Sequence, residues 1–171
     1  MLFRSLEQTA GFHLKLGRGG IRDIEFFVNA QQLLWGGRHP HLQTPTTMKA
    51  LQGLADEGIV APATARELER CYWLLRGLEN RVQYWSDGHT HFVPENPEQQ
   101  EWLADRSDLG SWAQLQKEIA QVRQFVDAAV APLFADVERP AVSALPPTSP
   151  TEDDEFIQDR LHVWESEAGR S

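Results

Sequence analysis

Cysteine is almost missing from this sequence: Cys71 stands alone among 171 residues. One thiol excludes an internal disulfide framework and any cysteine-rich metal site. Positive charge is also short. Sixteen lysines and arginines face 25 acids, for a net charge of −9. That balance excludes a nucleic-acid binder that works by bulk electrostatic attraction, because such proteins neutralise phosphates with a surplus of bases. No run of 18 apolar residues occurs, so no membrane span is predicted. Residues 1–10 lack the apolar stretch and small-residue cleavage site of a secretion signal. A cytoplasmic protein with neither nucleic acid nor membrane as partner is the simplest reading. Alternating β patterns are nearly absent too, with residues 20–26 and 90–93 the two short strand alternatives.

The negative charge that is present is unevenly placed. Residues 135–171 carry nine acids and three bases, whereas residues 1–134 carry 16 acids and 13 bases. Between these parts, residues 138–150 contain four prolines in thirteen positions, the composition of an extended linker. The body reads as helices. From Asp23, Ile24, Phe26 to Val28 and Leu33 to Trp35 are dense enough for a mostly buried helix that Gly36-Gly37 ends. Thr44-Pro45 reads as a cap before a helix carrying Met48, Leu51, Leu54 and Ala55, stopped at Gly58. Thr64 and Glu67 fit a capping box opening the longest helix, with Leu68, Cys71, Leu75, Leu78, Val82 and Trp85 at three-to-four spacing. Ser111 and Gln114 fit another, ahead of Leu115, Ile119, Val122, Phe125, Val126, Ala129 and Leu133. A last helix is predicted within 155–167. The expected fold is all-α: an antiparallel helical bundle with a Pro-rich acidic C-terminal extension. Its parts are an N-terminal helix and Gly-rich junction (1–22), the bundle (23–134), a linker (135–154) and a C-terminal helix (155–171).

One stretch is unusual: Lys15-Leu-Gly-Arg-Gly-Gly-Ile-Arg-Asp-Ile-Glu-Phe-Phe-Val-Asn29. It lacks the Gly-Lys-Ser/Thr ending of a phosphate-binding P-loop, and its glycine spacing fails the dinucleotide pattern. Three glycines beside Lys15, Arg18 and Arg22, ahead of a helix, can offer backbone N–H groups and cations to a phosphate. The plain alternative is a tight turn in which Arg22 pairs with Asp23 or Glu25.

This segment closely resembles the Lys-Leu-Gly-x-Gly-Gly-Ile-Arg-Glu/Asp-Ile-Glu-Phe signature of the bifunctional glutamine synthetase adenylyltransferase and adenylyl-removing enzymes. The likeness continues through Gly36-Gly-Arg38, Leu42-Gln43, residues 46–54, Gly58, residues 72–83 and Asp87 to His91, and covers residues 13–134. Uridylyltransferases of the PII system share a similar Gly-Gly-Leu-Arg-Asp segment. The Ile-Glu-Phe-Phe-Val ending here looks more like the adenylyltransferase branch. The resemblance implies a helical domain just after a nucleotidyltransferase domain, in the N-terminal, adenylyl-removing half of the parent, with Ser171 an artificial end. It implies a parent that uses Mg²⁺ and ATP or ADP to add AMP to glutamine synthetase and removes it by phosphorolysis. Expected partners are the parent's own nucleotidyltransferase domain, glutamine synthetase and the PII signal protein. The residues it places near nucleotide are Lys15, Arg18, Gly19, Gly20 and Arg22.

Such chemistry needs clustered carboxylates holding hard cations through oxygen. The sequence has no Gly-Ser-x-Asp-x-Asp/Glu run, and Glu152 to Glu155 reads as a solvated charge run in the linker. Asp23 and Glu25 would share a face only on a strand, not on a helix. No catalytic residue and no metal ligand is therefore assigned, and the chain by itself is expected to hold no cofactor. His39 with His41, and His89 with His91, each supply two imidazoles where zinc needs three or four ligands. Cys71 on an apolar helix face is expected to be inert packing, and Asn80 to bond a neighbouring element. Trp35, Trp73, Trp85, Trp102 and Trp112 read as core or groove residues. Trp73 lies on another face from Leu78 and Trp85 and is a candidate contact for a second domain. The alternative function is a protein-interaction module that relays PII or glutamine status.

Overall fold

The computed structural model describes residues 9–86, 90–107 and 109–134. The chain divides into two units, 1–136 and 137–171, and every described residue belongs to the first. The linker, the helix read within 155–167, residues 1–8 of the segment read as N-terminal helix and junction, and His89 lie outside the described residues. The first unit is all-α, as its periodicity predicts. Helix α1 (Ile21–Trp35) is followed by a 3₁₀ turn (Pro40–Leu42), α2 (Thr47–Asp56), α3 (Pro62–Trp85), α4 (Pro97–Asp105), α5 (Trp112–Val130) and a second 3₁₀ turn (Ala131–Phe134). Helix α3 packs against each of the other four, and α5 also lies against α1 and α4.

The stripes that meet in this core are those of a 3.6-residue repeat. Ile21, Ile24, Phe27 and Val28 are the buried positions of α1, and Ala65, Leu68, Cys71, Leu75, Leu78 and Val82 the buried apolar positions of α3. Leu115, Ile119, Val122 and Val126 of α5 close the core. Helix α2 contributes Ala50, Leu51 and Leu54. It ends where Gly58 takes φ +68°, a left-handed closure that favours glycine.

Several expectations are corrected in detail. Residues 20–26 are not a strand: α1 begins at Ile21. Leu33 and Leu34 are 86% and 68% exposed and Phe26 is half exposed, so α1 is buried on one stripe rather than all round. Helix α2 starts after Thr46, while Thr44 Oγ1 accepts a bond from the Thr46 N–H at 3.4 Å. Helix α3 opens two residues before Thr64, at Pro62, with no side-chain cap. Proline suits that first turn because its φ is already helical and its missing N–H would have had no partner there. The Ser111 cap is as expected, its Oγ accepting from the Gln114 N–H at 3.4 Å. Helix α4 is an addition: Asn96 Oδ1 accepts from the N–H groups of Glu98 (2.9 Å) and Gln99 (3.4 Å), with Pro97 beginning the helix. Residues 90–93 form only an isolated antiparallel bridge, His13 to Phe92.

Candidate functional site

The Gly-rich segment is anchored from both ends before any side chain is considered. Its entry runs beside residues 91–93, with Gly11 N–H donating to Val93 O, Val93 N–H to Phe12 O and Leu14 N–H to His91 O, all at 2.8–2.9 Å. Leu14 is fully buried and Phe12 nearly so. The turn then closes on itself. Gly17 N–H donates to His13 O, Gly20 N–H to Gly17 O, Ile21 N–H to Leu14 O and Arg22 N–H to Lys15 O. Asp23 reaches back from the first turn of α1 to accept the Gly19 N–H at 2.7 Å. The backbone donors that open α1 are therefore already bonded within the chain.

Glycine at 19 is demanded by two constraints at once. Its φ is +76°, and a Cβ placed there would lie 2.4 Å from the Arg123 carbonyl oxygen. The loop thus rests directly on the backbone of α5. Around that contact, Arg18 forms a two-pronged pair with Asp127, one prong at 2.9 Å. Arg123 Nε donates to Arg18 O at 3.4 Å, and its guanidinium lies 3.9 Å from the centroid of the Phe12 ring. Burial pushes the Arg123 guanidinium below its ordinary value.

A second set of side chains ties the segment to α3. His13 Nδ1 accepts the N–H groups of Lys15 (3.3 Å) and Leu16 (3.1 Å), which leaves the ring proton on Nε2. The His13 ring stacks on His91 with centroids 5.4 Å apart and planes within 7°. His91 Nδ1 donates to Glu79 Oε1 at 2.8 Å, since a carboxylate can only accept. Glu79 is buried, and it also receives Arg76 at 2.8 Å, which in turn holds Glu25 of α1 at 2.6 Å. Burial alone would raise the Glu79 carboxyl, but hydrogen bonds and charge from Arg76 and His91 outweigh it and hold the group below its usual range. Burial, with His91 close by, pushes His13 below its ordinary value.

The five residues singled out as nucleotide contacts thus share one turn. Gly19 and Gly20 shape it, Arg18 is pinned to Asp127, Arg22 is exposed and Lys15 half-buried. Neither the Lys15 ammonium nor the Arg22 guanidinium has an ion pair or hydrogen bond among the described residues, so the pairing of Arg22 with Asp23 or Glu25 does not occur. Asp23 and Glu25 instead serve Gly19 and Arg76. No group of three His, Cys, Asp or Glu side chains fit for a metal occurs among the described residues, and the residues present do not fit Mg²⁺. His39 and His41 both approach Glu57, at 3.0 and 3.2 Å. Asn80 is exposed rather than bonded across the core. Cys71 is buried, and its thiol is pushed up to about 11 by burial. Sequence reasoning missed the Glu25–Arg76–Glu79–His91 chain of contacts, which no local motif signals.

Fold and site together define an all-helical domain that opens on a pinned, cation-bearing glycine turn. Residues 3–134 match the family described as GlnD PII-uridylyltransferase, and the chain belongs to that family. It is also similar to bifunctional glutamine synthetase adenylyltransferase/adenylyl-removing enzymes. The relative from Rhizobium meliloti is 41% identical over 124 residues, covering 72% of this chain and 13% of its own length. Those from Caulobacter vibrioides and Xanthobacter autotrophicus are 42% and 38% identical over 128 and 132 residues, covering 75% and 77% of this chain and 13% of each relative. The resemblance carried by the Lys15–Asn29 signature is therefore borne out. The chain spans about one eighth of the length of these relatives.

No helix among the described residues is long and apolar enough to cross a membrane.

Proposed function

We propose that this chain is the helical domain adjoining the nucleotidyltransferase active site of an enzyme that adenylylates glutamine synthetase from ATP and removes the AMP by phosphorolysis. In this reading residues 1–22 are the junction, residues 23–134 the bundle, and the domain belongs to the adenylyl-removing half. Lys15 and Arg22 face the phosphates of the nucleotide or of the adenylylated substrate, and Arg18, Gly19 and Gly20 hold the turn that aims them. The Mg²⁺ and its carboxylates belong to the adjoining domain. The observation that carries the reading is a turn whose glycine N–H groups and those opening α1 are bonded within the chain, while Lys15 and Arg22 have no ion pair among the described residues. Two like cations within eight residues are tolerated at the surface, and an arriving phosphate gains charge-assisted bonds from both.

The exposed faces of α1 and α3 support the neighbouring domain in this arrangement. Trp73 is 59% exposed and Tyr84 83% exposed, and the Arg76–Glu25 pair joins their helix to the one carrying Phe26 and Leu33. Calorimetric titration of the chain with ADP, ATP, glutamine and PII protein tests the proposal. Heat with ADP or ATP that disappears in Lys15→Ala and Arg22→Ala supports it. Heat with PII alone would favour the regulatory module instead, and silence with nucleotide would contradict a phosphate contact made by this turn on its own.

A further inference from the structure

A cavity of about 360 Å³ lies between the C-terminal end of α3, residues 90–95 and α4. Its size falls within the roughly 300–1,000 Å³ of small-molecule sites. Three aromatic side chains wall it. Trp85 and Trp102 meet with ring centroids 4.7 Å apart and planes tilted by 59°, and Phe92 stands beside them. Trp85 and Phe92 remain 43% and 50% exposed, so this apolar surface is not consumed by the core.

Of the polar groups at the cavity, Ser86 Oγ donates to Val82 O and Thr90 Oγ1 accepts the Phe92 N–H, but others are uncommitted. Neither the Glu95 carboxylate nor the Gln99 side-chain amide has a hydrogen-bond or ion-pair partner among the described residues, and the same holds for the Trp85 and Trp102 indole N–H groups. Glu95 is the charged residue that lines the cavity, and acids outnumber bases in the segment that carries much of the wall. Residues 90–106 contain Glu95, Glu98, Glu101 and Asp105 against Arg106 as the sole Lys or Arg. Arg106 does not line the cavity, but its guanidinium already sits 4.5 Å from the centroid of the Trp102 ring, so this indole accepts a cation on its face. Aromatic faces carry partial negative charge, and a carboxylate without a counter-charge beside them selects the same guest.

We infer that this cavity is a binding site for a small organic cation: a protonated amine on a flat apolar body, stacked among Trp85, Phe92 and Trp102 with its charge at Glu95. The site is separate from the Gly-rich turn and does not depend on the reading given to that turn.

Three probes of equal shape and different charge test it: 2-phenylethylamine, 2-phenylethanol and 3-phenylpropionate. The readout is the tryptophan indole N–H signals of the ¹⁵N-labelled chain, with Trp85→Phe and Trp102→Phe used for assignment. The amine is expected to move the Trp85 and Trp102 signals while Trp35 and Trp112 stay still, with a Kd about tenfold below that of the anion. Glu95→Gln, a change at an exposed side chain, should bring the amine to the affinity of the alcohol and leave the alcohol unchanged. Equal affinity for amine and anion would overturn the inference. So would an amine affinity untouched by Glu95→Gln, shifts spread over all the indoles, or no shift with any probe.

Discussion

In the turn over residues 13–23 the N–H groups of Gly17, Gly19, Gly20, Ile21, Arg22 and Asp23 all find acceptors, whereas the cavity beside α4 keeps a carboxylate, a side-chain amide and two indole N–H groups without partners among the described residues. The two regions share a boundary: Gly11, which begins the pairing with residue 93, also lines the cavity. Yet the glycines are not where phosphate chemistry would lie. Their conformation is needed to lay the loop on α5, and what the turn offers outward is the charge of Lys15 and Arg22. Glycine richness is thus a statement about backbone approach, and unspent capacity for a ligand lies in side chains.

The comparison can be broken most forcefully at Gly19. Alanine there meets both the left-handed φ and the Arg123 backbone, and should cost about 3–5 kcal/mol in denaturant unfolding. Gly58→Ala has a similar φ, +68°, but open space around it, and should cost about 1–2 kcal/mol. Equal losses at the two sites would mean that the contact with α5 is not what requires glycine.

Acid should loosen the anchored region next. His13 and Glu79 both bind protons less readily in the folded chain than their ordinary values of 6.5 and 4.5. The unfolded chain therefore takes up more protons, and stability falls as pH drops below 6.5 for His13 and below 4.5 for Glu79. Thermal melts from pH 8 to 4 check this. The Glu79→Gln variant should start lower in stability and lose less of it below 4.5, whereas a profile identical to wild type would remove Glu79 from the account. The smallest effect is expected on the open face of α1: Leu33→Ser should change unfolding free energy by no more than about 0.5 kcal/mol. A larger loss would mean that this leucine is covered.

The sequence pattern made α1, α2, α3 and α5 legible because each carries a buried stripe at helical spacing. It misplaced the starts of α2 and α3, where Thr44 and Thr64 looked like caps. At α3 the proline at position 62 sets the first-turn φ directly, whereas Thr44-Pro45 stands just ahead of α2, which begins at Thr47. Helix α4 escaped because only Leu103 and Ala104 of its nine residues are buried, although Asn96-Pro97 carried the cap-and-proline signal that would have found it. Leu33 and Leu34 looked like core because hydropathy cannot tell a side chain facing the bundle from one facing outward. At the site, the glycines and cations were legible and their division of labour was not. That division rests on partners far apart in sequence: Asp127 for Arg18, the Arg123 backbone for Gly19, and Arg76 for Glu25 across 51 positions. Such pairings follow from the packing of α3 and α5, not from any local run.

The central claim is that the turn meets phosphate through Lys15 and Arg22 and not through its glycine amides. Titrating the ¹⁵N-labelled chain with ADP while following backbone and side-chain N–H signals tests it most directly. The account predicts that the Arg22 and Lys15 side-chain signals move, that the Gly17, Gly19 and Gly20 amides stay nearly in place, and that Lys15→Ala with Arg22→Ala removes the response. Large shifts of the Gly19 and Gly20 amides that survive both substitutions would contradict it.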